Sequence, residues 1–257
     1  MKHYYFAFYG NDLLLERQDD GTYSIPYREE PPTATDGKTA MLDVAYADGT
    51  TAKTYRLDSP ETGDGRLELC GLRKSYYKLT YELYVKAGKC EELLYWDAHN
   101  RYCGICGSKM EKHTDISKKC VKCGNEVWPQ LSTAIIVLVH RDNDVLLVHA
   151  KNFKGNFFGL VAGFVEEAVK REVMEETGLQ IKNIRYFGSQ PWPYPCGLMV
   201  GFNADYDSGT LKLQHSELSA GAWFNKSDLP EIPEKLSIAR KLIDAWLQED
   251  CHAAQNG

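Results

Sequence analysis

The stretch Gly163-Phe-Val-Glu-Glu-Ala-Val-Lys-Arg-Glu-Val-Met-Glu-Glu-Thr-Gly-Leu179 holds more carboxylates than a stable surface helix needs. On a helix, Glu172, Glu175 and Glu176 stand at i, i+3 and i+4 and so share one face. Like charges there repel, and a face chosen for stability alone would intersperse lysine. The cluster makes sense if hard cations sit among the carboxylates. Mg2+ or Mn2+ held there would bridge diphosphate oxygens and activate a water. Arg171 is placed to orient a carboxylate by bidentate pairing, and Gly178 fits a C-terminal cap. Taken alone, an acidic helical face is more often solvated surface. The neighbouring residues decide.

Around that helix the chain from Pro129 onward reads as α/β. Ala134–Val139 and Val145–Val148 are apolar runs joined by the turn residues 141–144, which predicts two strands. Glycines 155, 159 and 163 follow, then a helix over roughly 167–178. Strand-like runs come next at Ile184–Phe187, Leu198–Phe202 and Ala222–Phe224, and a closing amphipathic helix is expected at Ser237–Leu247. Upstream, residues 1–98 alternate β-like runs (HYYFAFYG, AMLDVAYA, TAKTYRL) with turn-rich stretches. A helix over Leu72–Trp96 closes them, its Tyr and Leu residues recurring every three or four positions. Those tyrosines read as core packing. The domains implied are 1–98, an N-terminal mixed α/β domain with a structural or dimerisation role; 99–128; and 129–257.

Residues 99–128 hold Cys103-Gly-Ile-Cys106 and Cys120-Val-Lys-Cys123, separated by thirteen residues, with Gly107 and Gly124 directly after each pair. Two C-x-x-C turns bring four thiolates to one tetrahedral ion, and the glycines permit the tight backbone. Thiolates fill all four positions, so the expected zinc is structural, with no site open for water or substrate. Cys70, Cys90, Cys196 and Cys251 read as small apolar or surface residues.

The bulk properties fit an ordinary soluble globular protein. Of 257 residues, 43% are hydrophobic and 26% charged, and the net charge of −6 supplies no general field for nucleic acid. No apolar run reaches the roughly 20 residues that span a bilayer, and the first twenty residues lack the pattern of a signal peptide. The cytoplasm is therefore the expected location, and no membrane partner is expected.

Arg171–Leu179, REVMEETGL, resembles the end of the Nudix box, G-x5-E-x7-R-E-U-x-E-E-x-G-U, and the preceding AGFVE is typical of the same family. Ser189-Gln-Pro-Trp-Pro-Tyr-Pro195 resembles the SQPWPFP signature of the NADH pyrophosphatase branch. The ribbon before the domain, Leu198-Met199 and Ser237-Ile-Ala-Arg240 are similar to that branch too. The resemblance covers about Trp96 to Leu247. It implies a Nudix α/β/α sandwich preceded by a zinc ribbon, and hydrolysis of NADH or NAD+ to AMP and the nicotinamide mononucleotide. Removal of NAD caps from RNA 5′ ends is a close variant. By position it implies that Glu172, Glu175 and Glu176 bind the catalytic metals, with Glu217 assisting metal or water. Phe164, Gln190, Trp192, Tyr194, Met199 and Ala239 fall where the family contacts the dinucleotide. The prolines of an exposed 189–195 loop would hold flat Trp and Tyr faces for stacking. The family usually dimerises, and Trp128 lies where a partner subunit's aromatic closes the base pocket.

Two positions depart from the pattern. Seven residues separate Gly163 from Arg171 where the box has thirteen, so the first glutamate of the box has no clear counterpart and Glu166 and Glu167 are ambiguous. Gly197 stands where serine is common, which removes a hydroxyl. Two other functions stay open: a broader nucleoside-diphosphate-X hydrolase acting on ADP-ribose or diadenosine polyphosphates, against which the SQPWPYP stretch speaks, and a non-catalytic nucleotide sensor, which only the shortened box favours.

Overall fold

The structure, a computed structural model, describes residues 1–33, 40–45, 51–60, 62–164 and 168–253. Two compact units emerge: residues 1–131 together with 191–196, and residues 132–190 together with 197–257.

The first unit begins with β1 (His3–Tyr9), β2 (Asp12–Arg17), β3 (Tyr23–Ser24), β4 (Tyr27–Arg28), β5 (Leu42–Ala45), β6 (Thr51–Arg56) and β7 (Leu67–Gly71). These form one mixed sheet in the order β3-β2-β1-β6-β5, with β4 on β1 and β7 on β2. Side chains alternate across it with the two-residue period of a strand. Phe6, Phe8, Leu13 and Leu15 enter one core, while Tyr5, Ala7 and Leu14 enter another with Tyr55 and Leu57. The larger core is covered by a helix, but the 72–96 run is not one continuous helix. It divides into α1 (Leu72–Ser75) and α2 (Tyr81–His99). The break falls at Thr80, whose extended backbone ends any helix and whose hydroxyl accepts the Leu83 N–H. Tyr84, Ala87, Cys90, Leu93 and Leu94 of α2 form the face on the sheet. A small three-stranded sheet follows from β8 (Met110–Thr114), β9 (Ser117–Cys120) and β10 (Glu126–Val127).

The second unit contains β11 (Ser132–Arg141), β12 (Asp144–Ala150), β13 (Val161–Phe164), α3 (Ala168–Thr177), β14 (Leu179–Trp192), β15 (Gly197–Gly209), β16 (Leu218–Asn225) and α4 (Ile238–Ala253). The strand order is β14-β15-β11-β12-β16, with β13 on β11. Alternation again assigns the layers. Ile135, Val137 and Val139 of β11, with Leu146 and Val148 of β12, meet Val173 of α3. Ile136, Leu138, Val145 and Leu147 face the other way, onto Ile238, Leu242, Ile243 and Trp246 of α4. Both sheet faces are buried, which is why these strands read as continuous apolar runs. The result is the expected α/β/α sandwich. The three later strands are longer than their apolar centres suggested, because their ladders continue through residues whose side chains are exposed.

Candidate active site and metal centre

Helix α3 follows β13 after residues 165–167, and Glu166 and Glu167 lie outside the described residues. The helix ends where the sequence predicted: Gly178 takes φ +69° and its N–H bonds the Met174 carbonyl at 2.9 Å. The three glutamates do not, however, behave alike. Glu176 is only 4% exposed. Burial first, then the charges of Glu217 and Glu172, push its carboxyl up to about 7. The side chain of Glu175 is 52% exposed and paired to Arg171 Nη1 at 2.8 Å. The other guanidinium nitrogen, Nη2, reaches Glu172 Oε1 at 2.9 Å. Arg171 thus orients two carboxylates, one bond to each, where the sequence suggested a bidentate grip on one.

Glu172 is seated against the backbone of Gly163, where a Cβ would lie 2.3 Å from its carboxyl carbon. Only a residue without a side chain allows that approach. Glu217 is exposed in the turn before β16, and that turn is tied down by its own backbone. Its carbonyl accepts the Lys151 N–H at 2.9 Å, and its N–H donates to the Gln214 carbonyl at 3.1 Å. Glu172, Glu176 and Glu217 therefore form an anionic group centred on a buried carboxyl. Their oxygens are not drawn as tightly together as the cysteine sulfurs: among the described residues, the four cysteines are the one group of three or more potential ligands with atoms mutually within 4.8 Å.

The remaining expected contact residues sit in varied surroundings. Phe164 is 71% exposed at the end of β13. Gln190 is buried and its amide donates to the Leu236 carbonyl at 2.8 Å. Met199 is partly buried beside the α4 core, and Ala239 is 7% exposed within it. Trp128 is 52% exposed just before β11. The 189–195 run is not the exposed loop the sequence suggested. Ser189 to Trp192 end β14, Pro193 is buried, and Trp192 and Tyr194 are half-buried. Tyr194 packs against the core of the first unit, and burial pushes its hydroxyl well above the usual tyrosine range.

In the small sheet Cys103, Cys106, Cys120 and Cys123 converge, with Sγ–Sγ distances of 3.6 Å (103–123) and 3.4 Å (106–120). These separations exclude disulfides, whose sulfurs lie about 2 Å apart. Backbone N–H groups point at the sulfurs, as from Ile105 to Cys103 and Lys122 to Cys120 at 3.4 Å each. Such donation, from Cys106 to Cys103, Ser108 to Cys106 and Cys123 to Cys120 in the first place, holds those three thiols below their ordinary range. Gly107 and Gly124 both adopt positive φ, +69° and +74°, closing the two turns in the same way. A soft metal fits this donor set. Of the other cysteines, Cys70 and Cys90 are buried and Cys196 is half-buried; the side chain of Cys251 lies outside the described residues.

Comparison with known proteins agrees with this anatomy. Residues 129–247 match the family model of the NUDIX domain, and residues 2–96 match that of the NADH pyrophosphatase-like rudimentary NUDIX domain. The NAD-capped RNA hydrolase NudC of Pseudomonas aeruginosa (strain LESB58) is 36% identical over 249 residues, covering 93% of this chain and 87% of that protein. That of Haemophilus influenzae (strain PittEE) is 44% identical over 160 residues, covering 58% and 61%. Among solved structures, a NUDIX hydrolase from Nitrosomonas europaea aligns at TM-score 0.49 and 19% identity, over 58% of this chain and 92% of its own. The chain belongs to the NUDIX family. Its rudimentary N-terminal domain and its full-length relatives place it in the NADH pyrophosphatase branch.

Sequence reasoning did not single out Gly163 as the seat of Glu172, or Gly88 of α2. A glycine inside a 19-residue helix was the available signal for the second, since glycine there costs about 1 kcal/mol relative to alanine.

Proposed function

We infer that this chain hydrolyses the diphosphate bond of NADH or NAD+, giving AMP and the nicotinamide mononucleotide, and removes NAD caps from RNA 5′ ends. The observation that carries the reading is the buried Glu176 on the helix of a NUDIX domain, with Glu172 of the same helix and Glu217 of the turn before β16 acting on it. The relatives named as NAD-capped RNA hydrolases support the choice of substrate. All-oxygen carboxylate donors crowded around one buried carboxyl suit hard divalent cations, and Glu172, Glu175, Glu176 and Glu217 would hold Mg2+ or Mn2+. When bound, such ions would neutralise charge on the diphosphate oxygens and lower the pKa of a coordinated water.

The chain's own groups do the rest. A water attacks one phosphorus, Glu176 or Glu217 takes its proton, the bridging P–O bond breaks, and one nucleotide leaves with that oxygen. Arg171 keeps Glu172 and Glu175 oriented. Phe164, Gln190, Trp192, Tyr194, Met199 and Ala239 are the proposed dinucleotide contacts, with the exposed Phe164 ring and the Trp192 ring best suited to stacking. The four cysteines hold one structural Zn2+, and metal-bound thiolates are consistent with work in the reducing cytoplasm. A homodimer in which Trp128 meets the partner subunit completes the proposal.

Incubating the protein with NADH and Mg2+ or Mn2+ tests it. AMP and the reduced mononucleotide should appear, and Glu176→Gln should slow their release by about a hundredfold or more. A panel including NAD-capped RNA and ADP-ribose ranks the substrates. Failure to cleave any of them would turn the reading to a nucleotide sensor, which the shortened box favours.

A further inference from the structure

The ladder between β12 and β16 slips by one residue. His149 pairs Ala220 while Ala150 pairs Leu218, which leaves Ser219 as the extra residue of a β-bulge. Side chains alternate along a strand, so such a slip exchanges the faces of whatever lies beyond it. Counted on from Val148 opposite Gly221, an unbroken ladder would turn Ser219 toward α3 and Leu218 away from it. Instead Leu218 is 2% exposed, in the core that Val148 and Val173 of α3 share.

The turn that carries Glu217 is thereby anchored beside α3. Gln214 donates its N–H to the Glu176 carbonyl at 2.8 Å, and Leu218 donates its own to the Gln214 carbonyl at 3.0 Å. Glu217 stands between them, close enough for its charge to act on the Glu176 carboxyl.

One side chain pins the bulge. Ser219 Oγ donates to the His149 carbonyl at 2.9 Å and shares a 2.8 Å hydrogen bond with His149 Nδ1. The other ring nitrogen, Nε2, lies 2.8 Å from the Gly155 carbonyl, which can only accept, so Nε2 carries a proton. The imidazole meets Phe153 and Phe158 edge-on at 5.7 and 5.8 Å. It therefore joins β16 to the 151–157 segment, whose Lys151 N–H already holds the Glu217 carbonyl.

We propose that His149 and Ser219 are positioning residues that pin this bulge and so hold Glu217 beside Glu176. This rests on the NAD(H) reading of the site. A glutamate on an exposed turn otherwise loses its freedom when the reaction needs it; a pinned turn has lost it beforehand.

Steady-state cleavage of NADH by the full chain tests the assignment. His149→Ala should lower kcat about tenfold with KM within about threefold, because the groups affected meet the reacting centre and not the bases. Ser219→Ala, the milder change, should lower kcat about threefold in the same pattern. The deciding measurement adds His149→Ala to Glu217→Gln, where it should cost less than about twofold, since the group being positioned is already gone. An equal loss in both backgrounds overturns the assignment, because a general packing fault would slow both alike. So does a kcat that neither single variant moves, or a Glu217→Gln variant as active as the original; in each case the diphosphatase reading stands. An unaltered chain that leaves NADH intact overturns that reading, and this assignment with it.

Discussion

A single atom decides whether Gly163 can be replaced. Glu172 presses its carboxyl onto that backbone, so even the methyl group of Gly163→Ala must displace it by well over an ångström to reach normal contact. Glu172 would then leave both Arg171 and the neighbourhood of Glu176. We expect the variant to fold, with a thermal midpoint near that of the original, and to lose about a hundredfold in kcat/KM for NADH, read by AMP release. Glu92 carries the pH-dependent counterpart. Burial pushes its carboxyl up to about 7 from an ordinary 4.5, and its Oε1 has no hydrogen-bond partner among the described residues. A carboxyl whose folded pKa is raised favours the fold in its neutral form. That contribution is intact below about 4.5 and is lost as pH climbs through about 7. Glu92→Gln should therefore match the original protein at pH 4.5 and exceed it at pH 8 by about 1 kcal/mol, discounted for partial exposure. Denaturant melts at the two pH values measure the difference; equal gains at both would show that ionisation is not the cause.

At the scale of elements, the small β8–β10 sheet has little core of its own. Met110 and two cysteines are its fully buried apolar side chains, with Cys106 and Val127 partly covered. A cluster that small supplies little hydrophobic stabilisation to three short strands, and a metal held by the four thiolates, as proposed, would add the rest. Cys106→Ser should lower the zinc content from one per chain toward none by elemental analysis. It should also expose the ribbon to limited proteolysis while α3 and its carboxylates stay folded. Retained zinc at full occupancy would count against the four-thiolate site. Helix α2 shows the opposite balance, since many of its side chains already lie in the core of the first unit.

At the scale of the whole molecule, the chain does not finish one unit before starting the other. It leaves the first unit after residue 131, returns for residues 191–196, and leaves again. A fragment starting at Ser132 would contain the carboxylates of α3 but would strip Pro193 and Tyr194 of the first-unit surface that buries them. We expect such a fragment to bind a hydrophobic dye, to aggregate on size exclusion, and to cleave NADH far less efficiently than the full chain. A monodisperse fragment with undiminished kcat/KM would show that the first unit is dispensable. The same interleaving explains why the 189–195 run departs from its sequence-based expectation. Three prolines and two aromatics look like an exposed loop in sequence, yet the surface that buries Pro193 and half-covers Trp192 and Tyr194 comes from residues about a hundred positions earlier.

Local chemistry alone determined much of this protein. The paired cysteines with their glycines, the glutamates at helical spacing and the two-faced apolar strands each follow from short-range geometry. They survived intact as the cysteine cluster, α3 and the sandwich. The SQPWPYP stretch and the order of motifs likewise identified the branch. What the sequence could not determine depends on partners far apart in the chain. Glu172, Glu175 and Glu176 look equivalent on a helix, but tertiary packing buries Glu176, seats Glu172 on Gly163 and leaves Glu175 in solvent with Arg171. Ala239 and Tyr194, proposed as ligand contacts from the sequence, also pack against cores, a second role that spacing did not reveal. Burial and desolvation are sums over neighbours in space, and spacing along a chain does not carry them.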